Sequence, residues 1–119
     1  VCLGRLSSQT NRDFEIVLVN NGAARAVLDG LESDNLHVKH LGSNKGFAIA
    51  NNLGARLARG KWLVLLNADA FPEPDWLEKL LQAADTNPEY SFFSSRQIQA
   101  NRPELLDGAG DAYHISGLK

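Results

Sequence analysis

The chain has 119 residues, 44% of them hydrophobic and 22% charged, which is the balance of one globular domain and not of a disordered segment. Its 12 basic and 14 acidic residues give a net charge of −2, which argues against a nucleic-acid binder, since such proteins hold phosphates with a basic face. The single cysteine excludes an internal disulfide and favours a reducing, cytoplasmic setting. No apolar run approaches the roughly 20 residues that span a bilayer, and no signal peptide is visible.

Apolar runs predict the strands. The runs at residues 15–19 and 61–66 are nearly continuous, as expected of strands that are buried on both faces of a sheet. Residues 36–41 alternate apolar and polar side chains, which favours a strand nearer a sheet edge. Residues 90–98 are also strand-like, and residues 107–116 form either a strand or a loop.

Three helices are predicted between the strands, at residues 24–31, 46–59 and 72–85, and residues 1–8 resemble the end of another helix. The second helix carries apolar residues at three- and four-residue spacing, which predicts a face in the core. Those residues are Phe47, Ala50, Leu53 and Leu57. Strands that alternate with helices predict an α/β fold, with a largely parallel sheet and flanking helices.

Two polar segments follow predicted strands, where open parallel sheets bind ligands. Asn20 begins the first segment (NNGA), and Asn67 begins the second (NAD), which ends at Asp69. An Asn amide can both donate to and accept from a nucleotide base. A carboxylate such as Asp69 can hold Mg²⁺ or Mn²⁺, and such an ion neutralises a diphosphate.

Each segment also has a purely structural interpretation. Asn-Asn-Gly after a strand is most often a turn, and a single Asp there is most often a solvated carboxylate or a helix cap. Trp62 and Trp76 are interpreted as packing residues. The three histidines lack metal-ligand spacing. The residue patterns alone therefore predict an α/β domain with a ligand-binding edge.

Three motifs in order resemble the family-2 inverting glycosyltransferases, which have the Rossmann-like GT-A fold. Residues 14–23 (FEIVLVNNGA) resemble the family's strand that ends in Asp-Asn-Gly-Ser. Residues 44–54 (NKGFAIANNLG) resemble its Asn-x-Gly-Phe-x-x-Ala-x-Asn-x-Gly helix. Residues 65–70 (LLNADA) resemble the Leu-Asn-Pro-Asp-Thr form of its metal-binding Asp-x-Asp motif. This form, with LDGAG at residues 106–110, is most similar to the rhamnosyltransferase-like subset.

The resemblance implies a UDP- or dTDP-linked sugar donor, a divalent cation (Mg²⁺ or Mn²⁺) and a saccharide or lipid-linked acceptor. It places Asn20 at the uracil or thymine base and Asn67 near the ribose. Asp69 would coordinate the metal, and Asn44 and Gly46 would shape the pocket wall. The implied setting is cell-wall or polysaccharide biosynthesis in the cytoplasm, with peripheral attachment to the inner face of the membrane through parts outside this chain.

The sequence departs from the family pattern in three ways. Asn20 stands where the family has Asp, and Ala68 and Ala70 replace Pro and Thr. The family's first strand, which is central in its sheet, is expected before Val1, and the catalytic base is expected after Lys119. We therefore expect residues 1–119 to be one incomplete domain that binds donor at most, with domain swapping or dimerisation to replace the missing strand.

Two other functions remain open from the sequence. A nucleotidyltransferase-like domain has a similar layered form and a metal carboxylate, although its glycine-rich basic loop is not seen here. A non-catalytic nucleotide-binding or scaffold domain would keep the fold without the reaction, and Asn20 and Ala70 favour this alternative.

Overall fold

A computed structural model describes residues 2–108 of the chain. In chain order its elements are α1 (Cys2–Leu6), β1 (Ile16–Asn20), a 3-10 turn (Arg25–Val27), β2 (Leu36–His40), α2 (Phe47–Leu57), α3 (Trp76–Thr86), β3 (Gln97–Gln99) and β4 (Arg102–Gly108). The longest helices, α2 and α3, have 11 residues each, and no described helix is long and apolar enough to cross a membrane.

Strands β1 and β2 form a parallel pair, in which Ile16 lies opposite Leu36 and Asn20 lies opposite His40. Apolar and β-branched residues dominate β1, which suits a strand with a helix on one face. Because both strands end at the same level, the loops that follow them begin at one edge of the sheet. This edge holds the first candidate segment.

Helix α2 packs against β1 at Gly54. A Cβ atom built on Gly54 would lie 3.2 Å from Val19 Cγ2 and 4.0 Å from Val17 Cγ1. The missing side chain therefore lets the helix approach the strand closely. The helix runs antiparallel to β1, because the residue before it contacts the loop after β1 and Arg59 contacts Glu15.

Glu15 binds the carboxyl-terminal end of α2. Its carboxylate accepts hydrogen bonds from the Arg59 backbone N–H at 2.6 Å and from Arg59 Nε at 3.1 Å. His37 Nε2 lies 3.9 Å from the same carboxylate. The backbone hydrogen bond from Arg59 is the main cause that holds the pKa of Glu15 below its usual value of 4.5.

We expect Glu15→Gln to lower the thermal unfolding midpoint near neutral pH and to have a smaller effect as the pH falls through the lowered pKa of Glu15. A carboxylate with a depressed folded-state pKa stabilises the fold above its unfolded pKa, and this stabilisation is lost as the pH falls through the folded pKa. Melting curves across this range check the prediction. Glu32→Gln is the control, because Glu32 is exposed and has no ion pair within residues 2–108. An equal loss at both ends of the range would contradict the assignment to charge.

The predicted strand at residues 61–66 is wrong, because the segment has no regular secondary structure. Within residues 2–108 its backbone makes no hydrogen bond, and Leu63 and Leu65 are more than half exposed. A strand exists only where a neighbour pairs with its backbone groups. Among the described strands, β1 pairs only with β2, and residues 61–66 and β1 both line an open groove of about 1060 Å³.

The predicted core stripe of α2 is wrong at its two ends. Phe47 is 67% exposed and Leu57 is 46% exposed, whereas Ala50 and Leu53 are half-buried. Phe47 and Ala50 line the same groove as the segment at residues 61–66. Helical spacing identifies an apolar face, but whether another element covers that face depends on the rest of the fold.

The remaining differences concern the extent of elements. The helix predicted at residues 24–31 is only a 3-10 turn, whose Val27 is exposed, and Gly30 follows it at φ +78°. The third predicted helix begins at Trp76, after its two prolines. The strand predicted at residues 90–98 is wrong over residues 90–96. A strand, β3, begins only at Gln97 and pairs antiparallel with β4. Beyond Gly108, the last predicted strand or loop lies outside the described residues.

Candidate functional site

Asn20, the last residue of β1, is buried and its side-chain amide is fully paired. Oδ1 accepts hydrogen bonds from the backbone N–H groups of Gly22 at 3.2 Å and Ala23 at 2.8 Å. Nδ2 donates to the Ala23 carbonyl at 2.9 Å and lies 3.0 Å from His40 Nδ1, which must act as the acceptor. The side chain therefore shapes the turn after β1. A nucleotide base could bond to it only by displacing one of these partners.

Asn21 joins the turn after β1 to the loop before α2. Its Nδ2 donates to Asn44 Oδ1 at 3.1 Å and to the Gly46 carbonyl at 3.2 Å, and its Oδ1 accepts from the Lys45 N–H at 2.7 Å. Asn44 Oδ1 also accepts from the Gly46 N–H at 2.9 Å. The structure thus brings the predicted residues Asn44 and Gly46 beside the turn of Asn20. Residues 20–23 and 43–46 are called the loop pair below.

Two glycines allow the loop pair its geometry. Gly22 has φ +114°, and a Cβ atom built on it would lie 2.9 Å from the backbone nitrogen of Asn44. Gly46 has φ +87°, and its carbonyl accepts the N–H of Ala50 at the start of α2. Residues with a side chain rarely adopt such backbone angles. The loop pair therefore depends on glycine at both positions, and at Gly22 for space as well.

The second candidate segment, residues 67–69, lies in an exposed turn. The Asn67 carbonyl accepts the Ala70 N–H at 3.1 Å, and Cys2 Sγ lies 3.6 Å from the same oxygen. Burial is the main cause that raises the pKa of the Cys2 thiol, which keeps it protonated and a poor nucleophile. The Asp69 carboxylate is exposed and makes no hydrogen bond or ion pair within residues 2–108.

Among the predicted site residues, only Asp69 offers a carboxylate to a metal ion, and it suits one kind of metal site. In the described part of the chain, no three His, Cys, Asp or Glu side chains converge on a point that a metal could occupy. Mg²⁺ is commonly held by one or two carboxylates together with waters and substrate phosphates. Asp69 suits such a site, because its exposed carboxylate has no protein partner among the described residues. A cation would therefore bind together with the phosphates of a ligand.

The two candidate segments border one groove without contacting each other. Asn21 of the loop pair and Asn67 both line the groove of about 1060 Å³, and β1 and α2 supply its apolar wall. Asn20, Asn44, Gly46 and Asp69 are not among its lining residues. Ligand sites are typically apolar clefts with a few polar groups that fix orientation. This edge of the groove has that character.

Asn21 and His40 make contacts that their sequence positions do not reveal. The Asn-Asn-Gly turn marks both asparagines alike, and spacing does not show that Asn20 faces inward while Asn21 reaches the next loop. The available signal for His40 is strand register, because it ends β2 opposite the last residue of β1. Register is known only once the strand pairing is known.

Comparison with known proteins agrees with the motifs. An uncharacterized glycosyltransferase of Haemophilus influenzae is 34% identical over 91 residues, which are 76% of this chain and 31% of that protein. The glycosyltransferase EpsH of Bacillus subtilis is 34% identical over 87 residues, 70% of this chain and 25% of that protein. A PGL/p-HBAD biosynthesis glycosyltransferase of Mycobacterium bovis is 38% identical over 73 residues, 57% of this chain and 28% of that protein.

The aligned region thus spans a quarter to a third of the length of these relatives. No solved structure matches the chain significantly. The model of the family described as glycosyl transferase family 2 matches residues 1–105, which is most of the chain. With its parallel strand pair and flanking helices, this chain belongs to glycosyl transferase family 2 and has the Rossmann-like α/β fold of that family.

Proposed function

We propose that the protein transfers a sugar from a nucleoside-diphosphate donor to an acceptor hydroxyl, and that this chain forms the donor-binding part. One observation carries the proposal. At the carboxyl edge of β1 and β2, the loop pair is held by side-chain hydrogen bonds and borders the groove that Asn67 also lines. Asp69, two residues further, offers a carboxylate that has no partner within residues 2–108.

The proposed roles follow from which groups are free to bind. Asp69 has no partner among the described residues, so we assign it to the cation that accompanies the diphosphate. Asn67 lines the groove and is assigned to the ribose. Asn44 and Gly46 do not line the groove themselves, and we assign them to the support of its wall through their bonds to Asn21. We assign Asn20 to the uracil or thymine base of the donor. To bind this base, the Asn20 side chain must give up its hydrogen bond to His40 or to Ala23.

The proposed reaction is a single displacement with inversion. The acceptor hydroxyl oxygen forms a bond to the anomeric carbon, and the bond from that carbon to the donor diphosphate breaks. The diphosphate leaves with the electron pair, and a general base takes the hydroxyl proton. When bound, a divalent cation neutralises the leaving diphosphate. We assign the general base to no described residue of this chain.

We also propose which nucleotide the donor carries and which class of acceptor receives the sugar. One relative is named for PGL/p-HBAD biosynthesis. We extend to this chain only the broader class, a saccharide or lipid-linked acceptor reached from the cytoplasmic face of a membrane. The UDP or dTDP donor rests on the resemblance of the three motifs, and the rhamnosyltransferase-like subset rests on the sequences at residues 65–70 and 106–110. The family match favours glycosyl transfer over nucleotidyl transfer.

We expect UDP or dTDP to bind about tenfold more tightly with Mn²⁺ than without it, which corresponds to about 1.4 kcal/mol. Asp69→Asn should remove this difference, because the amide keeps the shape and loses the charge that attracts the cation. Isothermal titration calorimetry of the protein with each nucleotide, with and without Mn²⁺, makes the measurement. Asp85→Asn is the matched control, because Asp85 lies exposed on α3.

Three outcomes would contradict parts of this proposal. If the protein binds neither nucleotide, the donor site is refuted. If Asp69→Asn binds as the unchanged protein does in both conditions, Asp69 does not hold the cation. If the protein releases pyrophosphate from a nucleoside triphosphate and a sugar phosphate, nucleotidyl transfer is the better assignment.

A further inference from the structure

We infer that Asn21 is a positioning residue of the donor site: its side chain fixes the loop before α2 against the turn after β1. The inference rests on the proposed function and adds to it a residue with an indirect role. No catalytic or ligand-binding role is given to Asn21 itself. Asn21 lines the groove, and its effect on the donor site comes from the position of the loop before α2, which its bonds to Asn44 and Gly46 set.

The hydrogen bonds of Asn21 cross a long stretch of sequence. Both polar atoms of its amide are used, and all three bonds reach residues 23 to 25 positions later in the chain. They include two backbone groups of the loop, the Lys45 N–H and the Gly46 carbonyl. A side chain that binds both a donor and an acceptor of one loop fixes the position and the orientation of that loop.

The start of α2 has no comparable anchor of its own. The residue before the helix, Gly46, has no side chain and makes no capping side-chain bond. The far end of the helix is bound by Glu15 through Arg59. Asn21 and Glu15 therefore hold the two ends of α2 to the two ends of β1, and the Asn21 end is the one at the candidate site.

The contact is asymmetric, which makes it testable. Asn21 needs its NH₂ group, because that group donates to Asn44 Oδ1 and to the Gly46 carbonyl. Asn44 uses only its oxygen, which accepts from Asn21 and from the Gly46 N–H. At Asn21, replacement of the amide by a carboxylate therefore loses both donated bonds and keeps only the bond accepted from the Lys45 N–H.

The test compares Asn21→Asp with Asn52→Asp, at an exposed position of α2 to which no role in the site is assigned. Both variants replace an amide by a carboxylate and add one negative charge to the chain. We expect Asn21→Asp to raise the Kd for UDP with Mn²⁺ by about tenfold or more, and Asn52→Asp to raise it by less than about threefold. Calorimetry gives both values. Equal effects of the two variants, or no effect of Asn21→Asp, would overturn the inference.

A second measurement separates this inference from the proposed function. Backbone amide exchange of Lys45, followed by NMR without nucleotide, should become faster in Asn21→Ala, because the Lys45 N–H loses its acceptor. Asn52→Ala, at an exposed position of α2, should leave it unchanged. Unchanged exchange in Asn21→Ala overturns the loop contact. Faster exchange in a protein that binds no nucleotide supports the contact and refutes the donor site.

Discussion

Gln9→Leu should lower the free energy of unfolding by about 1–3 kcal/mol, because the buried Leu77 N–H loses its acceptor while the Glu73 carbonyl keeps only the Trp76 N–H. Gln9 is only 1% exposed. Its Nε2 donates to the Glu73 carbonyl at 2.7 Å, and its Oε1 accepts the Leu77 N–H at 3.0 Å. The Leu77 N–H lies in the first turn of α3, where amides have no partner within the helix. Asp75, the residue that caps α3, makes no side-chain capping bond. Gln9 therefore caps this helix from a distant part of the chain.

Urea unfolding of three variants tests the role of Gln9. Gln9→Glu keeps an oxygen for the Leu77 N–H but places a charged acceptor oxygen against the Glu73 carbonyl in a buried site, so near neutral pH it should cost at least as much as Gln9→Leu. Gln82→Leu is the control, since Gln82 is exposed on α3. If Gln9→Leu costs no more than this control, the buried glutamine does not hold the helix.

Gln9 also shows why part of the fold could not be predicted from the sequence. Strands β1 and β2 and helix α2 were predictable, because the apolar spacing that defines them is local. The partners of Gln9 lie 64 and 68 positions away. A polar residue between a helix and a loop gives no local signal of burial, and here burial follows from a contact between distant segments.

The segment at residues 61–66 shows a different limit. Its apolar run predicts a buried strand, but Leu63 and Leu65 remain more than half exposed and the backbone does not pair within the described residues. A strand forms only when its backbone N–H and C=O groups pair with those of a second segment. A run of apolar residues therefore predicts a preference for burial, and only the neighbouring backbone decides whether a strand forms.

At the candidate site, the motifs predicted which segments come together and not which atoms remain free. Asn20, Asn44 and Gly46 do lie together in the loop pair. The neighbours Asn20 and Asn21 differ in a way the sequence does not show: one is buried in its own turn and the other reaches across to Asn44. Side-chain hydrogen bonds of this kind depend on loop geometry within a few tenths of an ångström.

Gly22→Ala should cost about 3 kcal/mol or more and should also abolish nucleotide binding, because it opens the loop pair. The φ of +114° at Gly22 strains any residue with a side chain, and the added Cβ would lie 2.9 Å from the Asn44 backbone nitrogen. Backbone cannot move aside as a flexible side chain can, so the turn and the loop before α2 must separate. The bonds of Asn21 to Asn44 and Gly46 would then be lost together.

Gly30→Ala isolates the contribution of the close approach. Gly30 also has a positive φ, +78°, but nothing lies within 4 Å of the Cβ that alanine would add. This variant should therefore show only the backbone strain, about 1–2 kcal/mol, and bind UDP with Mn²⁺ as the unchanged protein does. Urea unfolding and calorimetry on the two variants separate the two effects. If both cost the same and both bind, the φ angle alone matters at Gly22, and the contact between the two loops does not hold the donor site.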